Sequence, residues 1–553
     1  MLQVGHTSQI LLIDELLREI IRIIEAHPYR RWSTLAALAR VCKGTSTPAL
    51  DALWKSQYSA VPAFRSADKG FYYDEDYSCI TWPNGHETWT WYHTLYSRKE
   101  FDETAVWNAV LKYSSRVKVL DPSLCNIHEV CFTPDAIQKI RNSNQMFFPN
   151  LEILHWPLDN LGDNAKDIEP FLSPNIKEIH IRRDSKRKNN IFPFVHKHNL
   201  QNLENISIHG ELWGMLDNTH IQLEIVKNSP RLHTYHDFNE CSTKLWLGLA
   251  ASSFLRVLYA RLGVPRREEP LLAPENPFPS LEKLTVVGSI PSILRHMKLL
   301  SFPRVYQVVC ETLNSEEDGD PPQYLVEDLI STLSNRISKD RIQTIAIKSN
   351  TYERNNDNYP VISSRVFDSL KTDFSNLRRF YMNTDWRVYL DDNLLMELSN
   401  AWPNATAIDF TPRHLSRVTY PEDDIKITIN GLIPVFQSCP KLQILGVVLH
   451  AEIDTMPEEE DMVQLPAFNL QTLKLGPSII HKRTIKPVAK FFHNYMPKLS
   501  KMEAWMGRPR VRHRGDYYGL PYRERWEEVT NEIADLRGEA GMKNKYVDFA
   551  YPS

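Results

Sequence analysis

Two short basic runs are the segments of this sequence with the clearest binding chemistry. Clustered guanidinium and ammonium groups hold phosphate or carboxylate groups through charge-assisted hydrogen bonds. Each run follows an apolar segment typical of a β-strand, and strand spacing predicts that the two loops converge within roughly 15 Å. The interpretation we favour is two solvated loops, and the alternative is a substrate-binding site for an acidic or phosphorylated segment. The side chains concerned are Arg182, Arg183, Lys186, Arg187, Lys188, Arg261, Arg266 and Arg267.

Catalytic signatures are absent from the sequence. It contains no GxSxG nucleophile elbow, no phosphate-binding GxxxxGK(S/T) loop, no GxGxxG after a strand and no HExxH zinc motif. The nearest pairs of metal-ligating residues are His196 with His198 and His233 with His236, which we interpret as surface or strand histidines. We therefore expect a protein that is not an enzyme, with no catalytic residue, no metal site and no cofactor.

A recurring apolar pattern supplies the elements that position the basic loops. Each copy has an apolar residue, two variable residues, an apolar residue, one variable residue and an apolar residue. Fourteen copies follow one another at intervals of 23 to 37 residues, which indicates a repeat protein. The clear copies begin at Leu151, Ile176, Leu203, Leu255, Leu281, Val305, Ile342, Leu377, Ala405, Leu442, Leu470 and Leu499, and weaker ones begin at Val117 and Leu232.

Strands and helices alternate in this repeat. The last two apolar residues of a copy are two positions apart and therefore lie on one face of a strand. Helical patterns fill the intervals over Tyr324–Ile337, Arg365–Phe374, Asp391–Trp402, Asn430–Cys439 and Pro487–Met496. Because a strand–helix pair of ~20–40 residues cannot bury its own faces, such pairs stack into an α/β solenoid.

The predicted architecture is therefore an irregular leucine-rich-repeat horseshoe with a parallel sheet on its concave face. It covers residues 114–506 in about 14 units. Residues 507–553 form a basic linker and a capping helix from Arg523 to Leu536. Residues 57–113 are rich in aromatic side chains, and we predict an irregular connector with a helix from Phe101 to Tyr113 that covers the end of the solenoid. The alternative for the aromatic cluster is a binding platform.

Residues 10–56 predict a separate unit of three short helices. The first helix has apolar residues at helical spacing from Leu12 to Ile24 and ends before Pro28. Ser33 is the predicted N-cap of the second helix, which Gly44 ends. Thr47 is the predicted N-cap of the third, with a proline at its first position. A unit of this size buries too little apolar surface to be stable alone, so it needs the rest of the chain or a partner.

The segments Leu12–Leu17, Leu35–Lys43 and Pro48–Trp54 resemble the F-box of fungal, basidiomycete-type F-box leucine-rich-repeat proteins. The resemblance continues at Trp107, Tyr113 and the run Ser115-Arg116-Val117, which look like the residues that lead into the first repeat of those proteins. One position departs from the family pattern, because Ile13 stands where the F-box usually has proline.

This resemblance implies a substrate-recognition subunit of an SCF-type ubiquitin ligase. The N-terminal helices would bind a Skp1-like adaptor and, through it, a cullin, and the solenoid would bind an unknown protein substrate. Ubiquitin transfer would then be promoted by proximity, with no bond made by this chain. The alternative, which Ile13 favours, is a leucine-rich-repeat protein-binding scaffold outside any ubiquitin ligase. The residues expected to contact the adaptor are Leu12, Leu16, Leu17, Ile20, Leu35, Leu38, Val41, Leu50 and Trp54.

The composition is that of an ordinary globular chain. Its 553 residues are 42% apolar and 24% charged, with a formal charge of −3, so no basic excess indicates nucleic acid as a partner. Seven cysteines without a CxxC pair indicate reduced thiols. The sequence has no secretory signal pattern and no apolar run of the ~18 residues needed to span a membrane. We therefore expect an intracellular protein, in the cytoplasm or nucleus, that binds neither membrane nor nucleic acid.

Overall fold

The computed structural model has a mixed α/β fold, and its described residues include a long parallel sheet of 15 strands. The chain divides into two compact units, Met1–Asn239 and Glu240–Ser553. No helix in the described ranges has the length and apolar character needed to cross a bilayer. The structure describes residues 14–27, 31–81, 87–121, 130–156, 165–182, 192–198, 200–209, 219–263, 273–313, 323–349, 361–384, 386–412, 424–452, 467–504 and 520–538.

The first unit contains helices that precede or separate its strands. The described helices are α1 (Asp14–Glu25), α2 (Arg31–Leu38), α3 (Lys43–Lys55), α4 (Val61–Arg65), α5 (Glu103–Ser114), α6 (Pro134–Asn142), α7 (Phe192–Lys197) and α8 (Thr219–Asn228). The strands that begin in this unit are β1 (Ser56–Gln57), β2 (Phe71–Thr81), β3 (Glu87–Ser97), β4 (Val119–Leu120), β5 (Val130–Phe132), β6 (Ile153–Trp156), β7 (Glu178–Arg182), β8 (Asn205–His209) and β9 (Thr234–Cys241). Strands β1, β4, β6, β7, β8 and β9 pair in that order, all parallel.

The second unit repeats the alternation of parallel strands and helices. Its described helices are α9 (Thr243–Ala250), α10 (Ile290–Lys298), α11 (Gln323–Arg336), α12 (Asp368–Asp373), α13 (Asp392–Ala401), α14 (Ile429–Ser438), α15 (Ile485–Tyr495) and α16 (Leu520–Leu536). Its strands are β10 (Val257–Leu262), β11 (Lys283–Gly288), β12 (Gln307–Thr312), β13 (Thr344–Ser349), β14 (Val361–Ile362), β15 (Arg379–Asn383), β16 (Arg387–Val388), β17 (Ala407–Asp409), β18 (Ile444–Gly446), β19 (His450–Ala451), β20 (Thr472–Gly476), β21 (Ile479–Ile480) and β22 (Lys501–Ala504). Two short parallel pairs, β14 with β16 and β19 with β21, lie outside the long sheet.

The apolar repeat sets the register of the long sheet. Each copy of the pattern coincides with one strand, and the second apolar residue of one copy pairs with the second apolar residue of the next. In the second unit this ladder includes Leu258, Leu284, Val308 and Ile345, all at most 1% exposed. The predicted parallel sheet is therefore confirmed, because a parallel sheet covered on one face places equivalent side chains of successive repeats side by side in the core.

The helices predicted between the repeats are present with small shifts at their ends. Helices α11, α13, α14 and α15 match the predicted segments within two residues, and α12 continues a 3-10 turn over Ser364–Phe367. The C-terminal helix α16 begins at Leu520 and packs on α15. Its Trp526 is buried and donates from Nε1 to the backbone oxygen of Ser478 over 3.1 Å.

Three segments differ from the sequence expectation. Helix α2 runs over Arg31–Leu38, so Ser33 lies inside it and is not its N-cap, and Gly44 lies in α3 and does not end α2. The segment expected to be an irregular connector contains an antiparallel hairpin, in which each of β2 and β3 has 11 residues. Threonine and tryptophan alternate over residues 88–91 of β3, and this period of two is a strand signal that overall composition does not show. Helix α3 begins at Lys43 and not at Thr47, because Oγ1 of Thr45 accepts from the backbone of Cys42 and donates to the oxygen of Leu38.

Candidate protein-binding surfaces

The three N-terminal helices pack around a small core of their own. Leu17, Ile21 and Leu35 are at most 6% exposed and form its centre. The half-buried side chains packed around them are those of Ile24, Leu38, Ala52 and Leu53. Since Leu17, Ile21 and Ile24 are spaced by helical turns, one face of α1 is used to close this core.

A second apolar face of α1 is left outside the core. Leu16, Ile20 and Ile23 are also spaced by helical turns, and we call them the α1 stripe. Leu16 is 44% and Ile23 60% exposed, and Ile20 is half-buried. Val41, which follows α2, is 61% exposed. Burial of such side chains by a partner contributes about 1.5–3 kcal/mol each, so the stripe is suited to binding an apolar surface.

The nine residues expected to contact the adaptor occupy three kinds of position. Leu17 and Leu35 are in the core of the unit, and Leu16 and Val41 are exposed. Leu12 lies outside the described residues. The half-buried members are Ile20, Leu38, Leu50 and Trp54.

The helical unit is joined to the beginning of the parallel sheet. The rings of Trp54 and Tyr113 lie 4.8 Å apart between centroids. Arg116 forms an ion pair with Asp51 on α3. Strand β1, directly after α3, pairs with β4, and the backbone nitrogen of Lys118 donates to the oxygen of Lys55 over 2.8 Å. These contacts use two residues from the downstream part of the F-box resemblance.

The first unit has a row of histidines on the polar face of its sheet. The residue between the last two apolar positions of a repeat points away from the core. In β6, β7, β8 and β9 these residues are His155, His180, Ser207 and His236, which pair in register. His209, two residues after Ser207, lies on the same face. We call the four imidazoles the histidine row.

The histidine row is closely packed. The rings of His155 and His180 stack with centroids 4.2 Å apart, and Nδ1 of His155 lies 3.5 Å from a carboxylate oxygen of Asp121. His209 stacks on Phe238 at 4.6 Å, and its Nε2 lies 2.6 Å from the hydroxyl of Ser207. Burial, followed by the positive charges that His209 and His180 can carry, lowers the pKa of His236. Protonation of His236 is therefore disfavoured.

The polar face of the second unit carries paired charges. Nζ of Lys474 lies 2.9 Å from the fully buried carboxylate of Asp409, and Lys348 lies 3.7 Å from Glu311. Burial, then the nearby carboxylate of Glu311, raises the pKa of Tyr259 to about 12. Although burial lowers it, the carboxylate of Asp409 raises the pKa of Lys474 above its usual value. This face therefore presents fixed donors and acceptors to a bound chain.

The predicted basic site is only partly within the described residues. Arg182 ends β7, where its register partner is His209. Arg261 lies in β10 and is half-buried. The other six, Arg183, Lys186, Arg187, Lys188, Arg266 and Arg267, lie outside the described residues. The convergence of the two basic runs stays a prediction.

Sequence reasoning missed the histidine row because its successive members lie 25 to 29 residues apart along the chain, in different strands. The available signal was the recurrence of histidine at one position of successive repeats. A group able to hold a metal ion, His450 with Glu452 and His481, was also missed, since two of its members come from different repeats. No family model matches the chain, and no curated protein matches it.

Proposed function

We propose that this chain is a substrate-recognition subunit of an SCF-type ubiquitin ligase, with α1–α3 binding a Skp1-like adaptor that links it to a cullin. The observation that carries the proposal is the α1 stripe. The helical unit closes its own core with Leu17, Ile21 and Leu35 and still exposes apolar side chains on the neighbouring face of the same helix. An amphipathic helix with a free apolar face is a common way to bind another helix.

The polar face of the sheet supports the substrate-binding half of the proposal. Aligned strands present side chains at regular spacing, so an extended segment of another protein meets several of them at once. The histidine row in the first unit and Arg182 next to it suit an acidic or phosphorylated segment. The ligase then acts by proximity, raising the local concentration of substrate lysine near the charged enzyme.

A second candidate function is a leucine-rich-repeat protein-binding scaffold outside any ubiquitin ligase. The observation that favours it is the contact between the helical unit and the first strands. Trp54 packs on Tyr113, and β1 extends the parallel sheet beside β4. In this reading α1–α3 cover the beginning of the sheet and need no adaptor.

Co-purification with a fungal Skp1-type adaptor tests the proposal. The full chain is compared with Leu16→Asp/Ile23→Asp, which places two charges on the α1 stripe. The matched control is Thr104→Asp/Asn108→Asp, which adds the same charge at exposed positions of α5. We expect the adaptor to bind the intact chain and the control alike, and the stripe variant at least about tenfold more weakly, the equivalent of ~1.4 kcal/mol.

Thermal melting of all three proteins accompanies the binding assay, so that a folding defect is not read as lost binding. Failure of the folded intact chain to bind the adaptor, or equal binding by the stripe variant and the control, contradicts the adaptor-docking proposal. Either result favours the scaffold outside a ubiquitin ligase.

A further inference from the structure

Three metal-ligating side chains meet at the short strand pair β19–β21. Oε1 of Glu452 lies 3.3 Å from Nε2 of His450 and 3.0 Å from Nε2 of His481. The three candidate ligand atoms lie within 4.8 Å of one another. Two ligands held by zinc at about 2.1 Å in a tetrahedral site are ~3.4 Å apart, so these separations are close to those of a metal site.

The backbone explains why these side chains converge. His450 and Glu452 are two residues apart and project from the same face of one extended segment. His450 pairs with Ile479 and Ala451 with Ile480, so the next position in the pairing brings Glu452 beside His481. His450 and Glu452 from one repeat and His481 from the next therefore converge on the same place.

The support beneath the cluster is buried and hydrogen-bonded. Ala451, Ile480 and Thr484 are each 0% exposed. Oγ1 of Thr484 lies 2.9 Å from the backbone oxygen of Ala451 and 2.7 Å from that of His481, which ties the two segments together. The backbone nitrogen of His450 donates to the oxygen of Ile427 over 2.8 Å. Ligands on such a scaffold lose little conformational freedom when a metal binds.

The orientation of His481 points to a third atom between the ligands. Its Nε2 is shielded from solvent and makes no hydrogen bond of acceptable geometry with the described residues, although the carboxylate oxygen of Glu452 is 3.0 Å away. A simple ion pair between the two groups aligns the N–H with the oxygen. A nitrogen and a carboxylate oxygen this close without a hydrogen bond between them are suited to sharing a cation.

We propose that His450, Glu452 and His481 bind a zinc ion. Two imidazole nitrogens and one carboxylate oxygen are ligands that zinc prefers, and three protein ligands leave one coordination position for water or for a side chain of a bound protein. The ion would link the β19 and β21 segments of two successive repeats. This inference is independent of adaptor binding, because it uses none of the residues of α1–α3.

Zinc binding to the full chain tests the proposal. Protein treated with a chelator and then dialysed is titrated with zinc in competition with a chromophoric chelator, and cobalt is titrated separately to look for its visible absorption band. We expect one ion per chain in the wild type. Loss of a group that only hydrogen-bonds to a metal ligand weakens metal binding about 10–100-fold. Because His450→Gln and His481→Gln each remove a ligand itself, we expect each to weaken zinc binding by at least this factor.

His220→Gln is the matched control, because it removes an exposed histidine on α8 and leaves the cluster intact. Glu452→Gln provides a third variant of the site if a histidine variant fails to fold, as judged by melting of the metal-free proteins. The proposal is overturned if the wild type takes up no zinc under competition. It is equally overturned if the folded site variants bind zinc as tightly as His220→Gln.

Discussion

Lys474 reaches the buried carboxylate of Asp409 across an intervening strand. Asp409 is in β17 and Lys474 in β20, and β18 pairs with both. The residue of β18 between them is Gly446, the register partner of each. Because Gly446 has no side chain, Nζ of Lys474 passes over it to within 2.9 Å of Oδ2 of Asp409, whose side chain is 0% exposed.

Lys474→Met should destabilise the second unit. It leaves the buried Asp409 carboxylate without its counter-charge, while Oδ1 keeps its hydrogen bonds from Thr411. We expect a loss of about 2–4 kcal/mol in the free energy of unfolding, measured by urea denaturation. The double variant Asp409→Asn/Lys474→Met should recover part of this loss, because no unpaired charge remains. A loss below about 0.5 kcal/mol would mean that water replaces the ammonium group at little cost.

Gly446→Ala should weaken the ion pair of Lys474 with Asp409, because Gly446 lies between the two residues. A Cβ at this position overlaps the carboxylate of Asp409, so the carboxylate or the strand must move. We expect a cost of about 1–3 kcal/mol in unfolding free energy. The cost of the added methyl group should fall clearly when it is measured in an Asp409→Ala background. An equal cost in both backgrounds would place the strain elsewhere.

Asp237→Asn should change the pH dependence of stability in the first unit. Burial raises the pKa of Asp237 to about 6, although hydrogen bonds from Asn239, Tyr235 and Gln222 lower it. Because this folded-state pKa exceeds the unfolded value of about 3.9, the wild type loses stability as pH rises from about 4 to 6. The unfolding free energy of the variant relative to wild type should rise by about 3 kcal/mol between pH 4 and pH 7. A difference that stays constant with pH would exclude a raised pKa.

His236→Gln should reduce the sensitivity of the first unit to mild acid. Burial, then His209 and His180, lowers the pKa of His236 below its ordinary value. A lowered histidine pKa gives stability that is present near neutral pH and is lost as pH falls through about 6.5. We expect protection of β9 amides from hydrogen exchange to fall less between pH 7.5 and pH 5 in the variant than in wild type. His196→Gln, at an exposed position of α7, is the control and should behave as wild type.

Leu17→Ala and Leu16→Ala should have different effects although the residues are adjacent. Leu17 is 3% and Leu16 44% exposed. Truncation of Leu17 leaves a cavity in the core of α1–α3 and should cost about 2–4 kcal/mol, whereas truncation of Leu16 should change stability by no more than about 0.5 kcal/mol. Hydrogen exchange of the α1 amides measures the stability change in each of the two variants. Equal protection in the two variants would contradict the assignment of Leu17 to the core.

Much of the sheet was predictable because its signal is local and repeated. Leu284 and Val308 occupy the same place in their repeats, and one rule predicted a strand at each. The hairpin of β2 and β3 was not predicted, since its alternating residues occur once and have no repeat to strengthen the pattern. The start of α3 depends on hydrogen bonds of Thr45 to residues of the preceding turn, which spacing rules do not include.

The candidate sites were less predictable than the sheet. The apolar pattern of α1 located the helix, but it did not separate Leu17, which closes the core, from Leu16, which faces solvent. That division depends on where α2 and α3 pack. The cluster of Glu452 and His481 depends in the same way on the pairing of β19 with β21.

The period of the repeat, the parallel strands and most helices follow from the amino-acid sequence, because the spacing of apolar side chains specifies which backbone periodicity can bury them. Which side chains contact one another follows from the packing of the folded chain. Lys474 and Asp409 are 65 residues apart along the chain, and their contact exists because Gly446 leaves the space between two strands open. Contacts of this kind depend on the register between paired strands and on the volume that a third residue leaves free. Neither can be predicted from the spacing of apolar residues within one segment.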